Sequence, residues 1–172
     1  MNTLVVYSSK YGSTKEYAEW IAEDIGADIK RLSDVTDADL DSHDVIVFGS
    51  YLHIGKIVDV DFLQKKWSLL SQKRVVLFTV SGAGPGSEEQ KFYENNLPTR
   101  IRSTITHFAF PGRAKNLDVK DTLLMLFPRG AALLTYLRER TPKNWAAYEH
   151  FRSFDGVKRE HIAPLVAAVR SD

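Results

Sequence analysis

The chain contains no cysteine among its 172 residues. That absence removes disulfide scaffolds, thiolate metal sites, iron–sulfur clusters and cysteine nucleophiles together. Charge of one sign is also lacking: 23 Lys and Arg stand against 22 Asp and Glu, for a formal net charge of +1. A polycation built for nucleic acid is excluded on that ground. No apolar run reaches the length of a membrane-spanning helix, and there is no internal repeat or low-complexity tract. A strand-like run begins almost at once, with no basic segment and long apolar stretch before it, so no signal peptide and a cytoplasmic location are expected. What is present is ordinary for a folded protein, with 44% hydrophobic and 26% charged residues. At this length a single domain over residues 1–172 is expected.

Three short apolar runs stand out, at residues 4–7, 45–48 and 75–80. They are continuous and β-branched rather than alternating, as strands buried on both faces of a parallel sheet must be. Weaker strand signals lie at 28–30 and 104–110. Between them, Thr14, Ala18, Ile21 and Ile25 recur at helical spacing from a start near Ser13, with Gly26 as the stop. Further helices are expected at 58–70, 87–95 and 160–170. Strands alternating with helices predict right-handed crossovers and a doubly wound α/β sheet. Ligands in such sheets bind beyond the carboxyl ends of the strands. The segments that follow the three strong strands are all rich in glycine and hydroxyl residues.

The first of these reads Ser9-Lys10-Tyr11-Gly12-Ser13-Thr14. A strand-to-helix loop offers unpaired backbone N–H groups and the positive end of the helix dipole. Its hydroxyls add donors, and Gly12 allows a close backbone approach. Such a loop suits a terminal phosphate without a metal; the alternative is a helix cap rich in serine and threonine. Lys10 either adds a charge there or projects into solvent. A Walker loop and a three-glycine dinucleotide fingerprint are both absent. A phosphoacceptor receiver site is excluded too, because the first and third strands end in Ser8 and Gly49 rather than acidic residues.

At this loop the chain resembles the flavodoxin family, whose phosphate loop has the same order of hydroxyl residues around one glycine, with Tyr11 a departure. The resemblance covers essentially the whole chain. It implies a five-stranded parallel sheet in the order 2-1-3-4-5 and FMN as cofactor. It also implies that Tyr51, Leu52, His53 and Ile54 flank the flavin, with Ser50 in the same cofactor-binding loop and Gly55 as the peptide that turns to hydrogen-bond its N5; the alternative for Tyr51 and His53 is a surface turn. The segment Ser81-Gly82-Ala83-Gly84 would bring backbone N–H groups to the ring edge. No metal site and no hydrolytic triad is expected, since the flavin carries the electrons. His43, His107, His150 and His161 are expected at the surface or as caps.

Residues 111–148 form an insertion between the fifth strand and the last helix. Residues 111–145 hold seven basic and three acidic side chains, a net +4 that leaves −3 on the rest of a chain totalling +1. Apolar groups at 123–127 and 131–134 sit among these charges, and Pro128 is expected to bend or split the helix. In place and character this segment resembles the longer flavodoxin-domain branch that includes menaquinone-dependent protoporphyrinogen oxidase. That likeness implies an FMN oxidoreductase acting on a quinone or porphyrin; the other reading is an electron carrier that docks redox partner proteins. The basic, apolar insertion is open to peripheral membrane contact, to a substrate, or to packing on its own domain or in a homodimer. With a pI near 7.9 and Lys56 directly after Gly55, reduced FMN is expected to be better stabilised than in acidic shuttle flavodoxins.

Overall fold

A computed structural model describes residues 2–82, 86–114, 117–152 and 154–171. In chain order the strands are β1 (Thr3–Tyr7), β2 (Asp28–Arg31), β3 (Val45–His53), β4 (Lys56–Ile57), β5 (Arg74–Ser81), β6 (Thr106–Pro111), β7 (Arg113–Ala114) and β8 (Phe154–Asp155). The helices are α1 (Ser13–Ile25), α2 (Asp37–Asp41), α3 (Asp61–Lys65), α4 (Trp67–Leu70), α5 (Ser87–Asn96), α6 (Thr99–Arg102), α7 (Val119–Arg138), α8 (Pro142–Arg152) and α9 (Ala163–Arg170).

The main sheet runs β2-β1-β3-β5-β6 with every pairing parallel, and β4 folds back antiparallel on β3. Leaving the short β4 aside, this is the expected 2-1-3-4-5 order of a flavodoxin-like fold. Parallel strands need crossovers that cover both faces, and the side chains divide accordingly. Leu4, Val6, Ile46, Phe48 and Leu77 point to one face, where Leu63, Leu70, Tyr93, Leu97 and Ile101 meet them. Val5, Val47, Val76, Phe78 and Phe110 point to the other, under Tyr17, Ala18 and Ile21 of α1 and Leu165, Val166 and Val169 of α9. Both clusters are buried, which explains why the strands read as unbroken apolar runs.

Several elements differ from expectation. The helix expected over 58–70 is two short helices, α3 and α4, because Lys66 leaves helical geometry at φ −101° and ψ 10°. The third strand does not end at residue 48 but continues to His53 and turns through Ile54-Gly55 into β4, with His53 paired to Lys56. Helix α7 is not split at Pro128: it runs for 20 residues through it. A proline costs one interior hydrogen bond, and the packing of α7 against α8, with the Tyr136 and Trp145 rings 5.0 Å apart, offsets that loss. The α7–α8 hairpin leaves and rejoins the sheet through a neck in which Arg113 pairs with Asp155 and Ala114 with Phe154.

His107 corrects a further expectation, since it is neither exposed nor a cap. It lies half-buried on β6, stacked on Tyr93 at 4.2 Å, with its Nε2 2.8 Å from Thr79 Oγ1. The Thr79 hydroxyl donates to Glu89 Oε1 at 2.7 Å, and Glu89 is itself only 4% exposed.

Candidate functional site

The order of the sheet reverses direction at β1, so the carboxyl ends of β1 and β3 form its switch point, where doubly wound folds bind ligands. A cleft opens there, lined by Ser9, Lys10, Tyr11, Ser13, Thr14, Tyr51, Leu52, Val80, Ser81, Gly82, Gly112 and Arg113. Nine of these twelve are residues expected from sequence, drawn from all three strand-end segments.

The floor is the start of α1. Gly12 is its N-cap at φ +91°, in the left-handed region that glycine enters without penalty. No side chain caps the helix, so the N–H groups of its first turn remain available to a ligand. Ser9 Oγ accepts from the Gly12 N–H at 3.1 Å, which closes the loop on itself. Ser13 and Thr14 are 7% and 2% exposed. Both line the cleft, and neither hydroxyl has a hydrogen-bond partner among the described residues. A buried helix start with unspent donors and a positive dipole end fits a phosphate, and the helix-cap alternative fits less well because no side chain caps α1.

The remaining loop residues are used differently. Lys10 is neither spent on the cleft alone nor released to solvent: its Nζ bridges Asp118 Oδ2 and Asp121 Oδ2, both at 2.8 Å. Tyr11 OH donates to the same Asp121 Oδ2 at 2.6 Å. The ammonium holds both carboxyls below the ordinary carboxylate range, and the hydrogen bond to Asp118 is the largest of the causes that raise Lys10, followed by that to Asp121. Burial, then the Asp121 contact, raises the Tyr11 hydroxyl.

The walls come from β3 and β5. Tyr51 and Leu52 project from the extended part of β3, and Ser81 and Gly82 close the end of β5. Gly112 comes so close to β5 that its N–H donates to Ser81 O at 2.6 Å, and an added Cβ would lie 3.1 Å from that oxygen. Ser50 does not reach the cleft; it is fully buried and its hydroxyl donates to Val58 O. His53, Ile54 and Gly55 form the edge of the β3–β4 hairpin rather than the lining. His53 Nε2 stands 2.9 Å from Asp121 Oδ1. Ala83 and Gly84 lie outside the described residues.

Sequence reasoning missed Gly112, Arg113 and Asp121. Arg113 lines the cleft while its Nη1 donates to Glu16 at 3.0 Å and its Nε to Asp155 at 2.7 Å. Asp121 is 8% exposed. No local pattern marks these residues, because the partners named for them lie between 31 and 111 positions away. Among the described residues no cluster of acidic and histidine side chains could hold a metal ion, and no helix is long and apolar enough to cross a membrane.

The sheet order, with a cleft at its switch point floored by an uncapped helix start, defines a flavodoxin-like α/β protein. A family model for the flavodoxin domain matches residues 4–129, and the chain belongs to that family. The cofactor that this family implies is a flavin, and the floor and walls described above are of a kind that fits one. No curated protein matches the sequence. Among solved structures the chain is similar to a WrbA-like flavodoxin protein from Agrobacterium tumefaciens, at 29% identity and TM-score 0.43, over 56% of this chain and 66% of that one. It is also similar to a flavodoxin from Megasphaera elsdenii, at 22% identity and TM-score 0.46, over 63% and 85% of the two chains. Rubredoxin oxygen:oxidoreductase from Desulfovibrio gigas matches at 16% identity and TM-score 0.44, over 99% of this chain and 37% of that one.

Proposed function

We propose that this chain is a one-domain FMN oxidoreductase of the branch resembling menaquinone-dependent protoporphyrinogen oxidase, acting on a quinone or porphyrin-like aromatic substrate. The observation that carries this reading is the α7–α8 hairpin. It rises from the rim of the cleft on the β7–β8 neck, and its first turn touches the phosphate loop and the β3–β4 hairpin through Asp121. An element placed so is well sited to shape what reaches the cofactor.

In this reading the N–H groups at the start of α1, with the hydroxyls of Ser9, Ser13 and Thr14, hold the phosphate. Tyr51 and Leu52 line the flavin on the β3 side, and the Ser81-Gly82 backbone meets the ring edge, with Ala83 and Gly84 completing that segment. Gly55, at φ +72°, supplies the peptide near the ring. Bound FMN supplies one- and two-electron redox chemistry. The chain's part is to bind it, orient it and limit its exposure to water. The exposed apolar side chains of α7, Leu123, Phe127 and Leu134 among them, lie among basic residues. They suit an aromatic carboxylate substrate or a transient contact with an anionic lipid surface in the cytoplasm.

The test is the visible spectrum of the purified protein, followed by an assay of protoporphyrinogen IX oxidation with a menaquinone analogue. A flavin spectrum with turnover is expected. A flavin spectrum with no turnover on porphyrinogen or quinone, but rapid electron exchange with a redox protein, would assign the chain to the electron carriers instead. A protein that cannot be reconstituted with FMN would remove the reading altogether.

A further inference from the structure

The buried carboxylate at the start of α7 joins three segments that the sequence separates widely. Asp121 Oδ2 accepts from Tyr11 OH at 2.6 Å and pairs with Lys10 Nζ at 2.8 Å. Asp121 Oδ1 faces His53 Nε2 at 2.9 Å. Asp118, the N-cap of the same helix, accepts from the Asp121 N–H through its side chain at 2.8 Å and pairs with Lys10 as well. The Asp118 N–H in turn donates to Tyr11 OH at 3.2 Å. One first turn of helix is thus tied to the phosphate loop and to the β3–β4 hairpin by five contacts.

The structure assigns Asp121 the role of a positioning residue: it couples the α7–α8 insertion to the phosphate loop and fixes the His53 imidazole beside the cleft. An ionised carboxylate only accepts hydrogen bonds. A neutral His53 facing it must therefore carry its proton on Nε2 and leave the Nδ1 lone pair free. Among the described residues Nδ1 has no partner, so the imidazole in its neutral form presents a proton acceptor at the hairpin edge. The same arrangement reassigns Lys10 and Tyr11. Their polar ends are engaged with α7, so their work is to hold the insertion against the cleft, while the helix start and its hydroxyls remain for the phosphate. The coupling itself is independent of any bound flavin; only its consequence for redox chemistry rests on the function proposed above.

Two measurements on the full chain, without added flavin, test this. In the first, Tyr11→Phe and Asp121→Ala are made singly and together, and amide exchange is followed through residues 119–138. Tyr11 lies far from α7 in sequence, so its loss cannot change the intrinsic propensity of that helix. Tyr11→Phe removes both hydrogen bonds of the Tyr11 hydroxyl with the start of α7 and is expected to speed exchange in the first two turns of α7 by about fivefold or more. The double variant should be less than additive. In the second, 15N spectra of the neutral His53 ring are expected to show the Nε2–H tautomer in the native chain and a mixture in Asp121→Ala. Unchanged α7 exchange in Tyr11→Phe, or a native ring that is predominantly Nδ1–H, overturns the assignment. Neither measurement involves flavin, so both decide the role of Asp121 even if the chain binds no FMN. Flavin titration of Asp121→Ala then reports separately on the cofactor.

Discussion

At the scale of single residues, the most informative group is one that no sequence motif marks. Burial pushes the Glu89 carboxyl from 4.5 up to about 7 and the His107 imidazole from 6.5 down to about 4. Both are held neutral around Thr79, and Glu89 Oε2 is buried without a partner. Their effects on stability have opposite signs. The folded state keeps the Glu89 proton while the unfolded chain loses it, so that stability is whole below pH 4.5 and declines as pH rises to about 7. The unfolded chain takes up a proton on His107 first, so that contribution is whole above pH 6.5 and declines as pH falls towards 4. Between pH 4.5 and 6.5 the two slopes oppose each other, each integrating to about 2–3 kcal/mol. Urea denaturation of Glu89→Gln should therefore show stability rising steeply from pH 4 to 6.5, where the parent is nearly flat; a flat variant would refute the buried pair. Gly49 gives a second residue-scale test. An added Cβ there would fall 2.7 Å from Phe78 Cε2 and closer still to Cζ, on a ring buried in the core. Gly49→Ala should cost about 1–3 kcal/mol by overpacking, seen as a lower denaturation midpoint. Both cases show what a sequence conceals. Ser9, Ser13 and Thr14 were legible because helix-start chemistry is local. Glu89, Asp121 and Arg113 acquire meaning only from partners brought in by the fold.

At the scale of elements, strands β1, β3 and β5 could be read directly, since burial on both faces forces an unbroken apolar run. Their ends could not. Ser50-Tyr51-Leu52-His53 has the composition of a loop, yet it extends β3 because β5 pairs with Ser50 and Tyr51 and β4 supplies an antiparallel partner for Leu52 and His53. The turn between them places Ile54 at φ +50° and Gly55 at φ +72°, the sign pattern of the hairpin turn that favours Asn-Gly. A β-branched residue in that region carries strain of about 1–2 kcal/mol. Ile54 is 72% exposed, so its side chain regains little by packing. Ile54→Asn is accordingly expected to raise unfolding free energy by about 1 kcal/mol, checked by chemical denaturation. A loss of stability would show that the isoleucine side chain makes contacts that outweigh its backbone cost.

At the scale of the whole molecule, a sheet with a cleft at its switch point carries a helical hairpin joined to it by the β7–β8 neck and by the contacts of Asp118 and Asp121. The insertion stood out in sequence by its charge, but its attachment did not, because a two-pair ladder such as β7–β8 has no periodicity to detect. That neck makes a clean excision practicable. Ala114 and Phe154 are already antiparallel partners, so replacing residues 115–153 with an Asn-Gly turn closes the chain with the geometry such a ladder prefers. The buried clusters on both faces of the sheet contain no residue from α7 or α8. The shortened chain should therefore fold, with its unfolding cooperativity retained and the central sheet protected from exchange. Phosphate-end contacts from α1 remain, and flavin affinity is expected to fall by no more than about tenfold, or 1.4 kcal/mol. Turnover of porphyrinogen or quinone should be lost if the hairpin presents the substrate. Full turnover in the shortened chain would mean that the exposed apolar side chains Phe127, Leu123, Leu134 and Leu137 serve something other than catalysis. Loss of the flavin instead would place the insertion among the cofactor's own ligands. Because Lys10 and Tyr11 lose both carboxylate partners in the same stroke, a small rise in affinity is also informative: it would show that the insertion competes with the phosphate for the Lys10 charge.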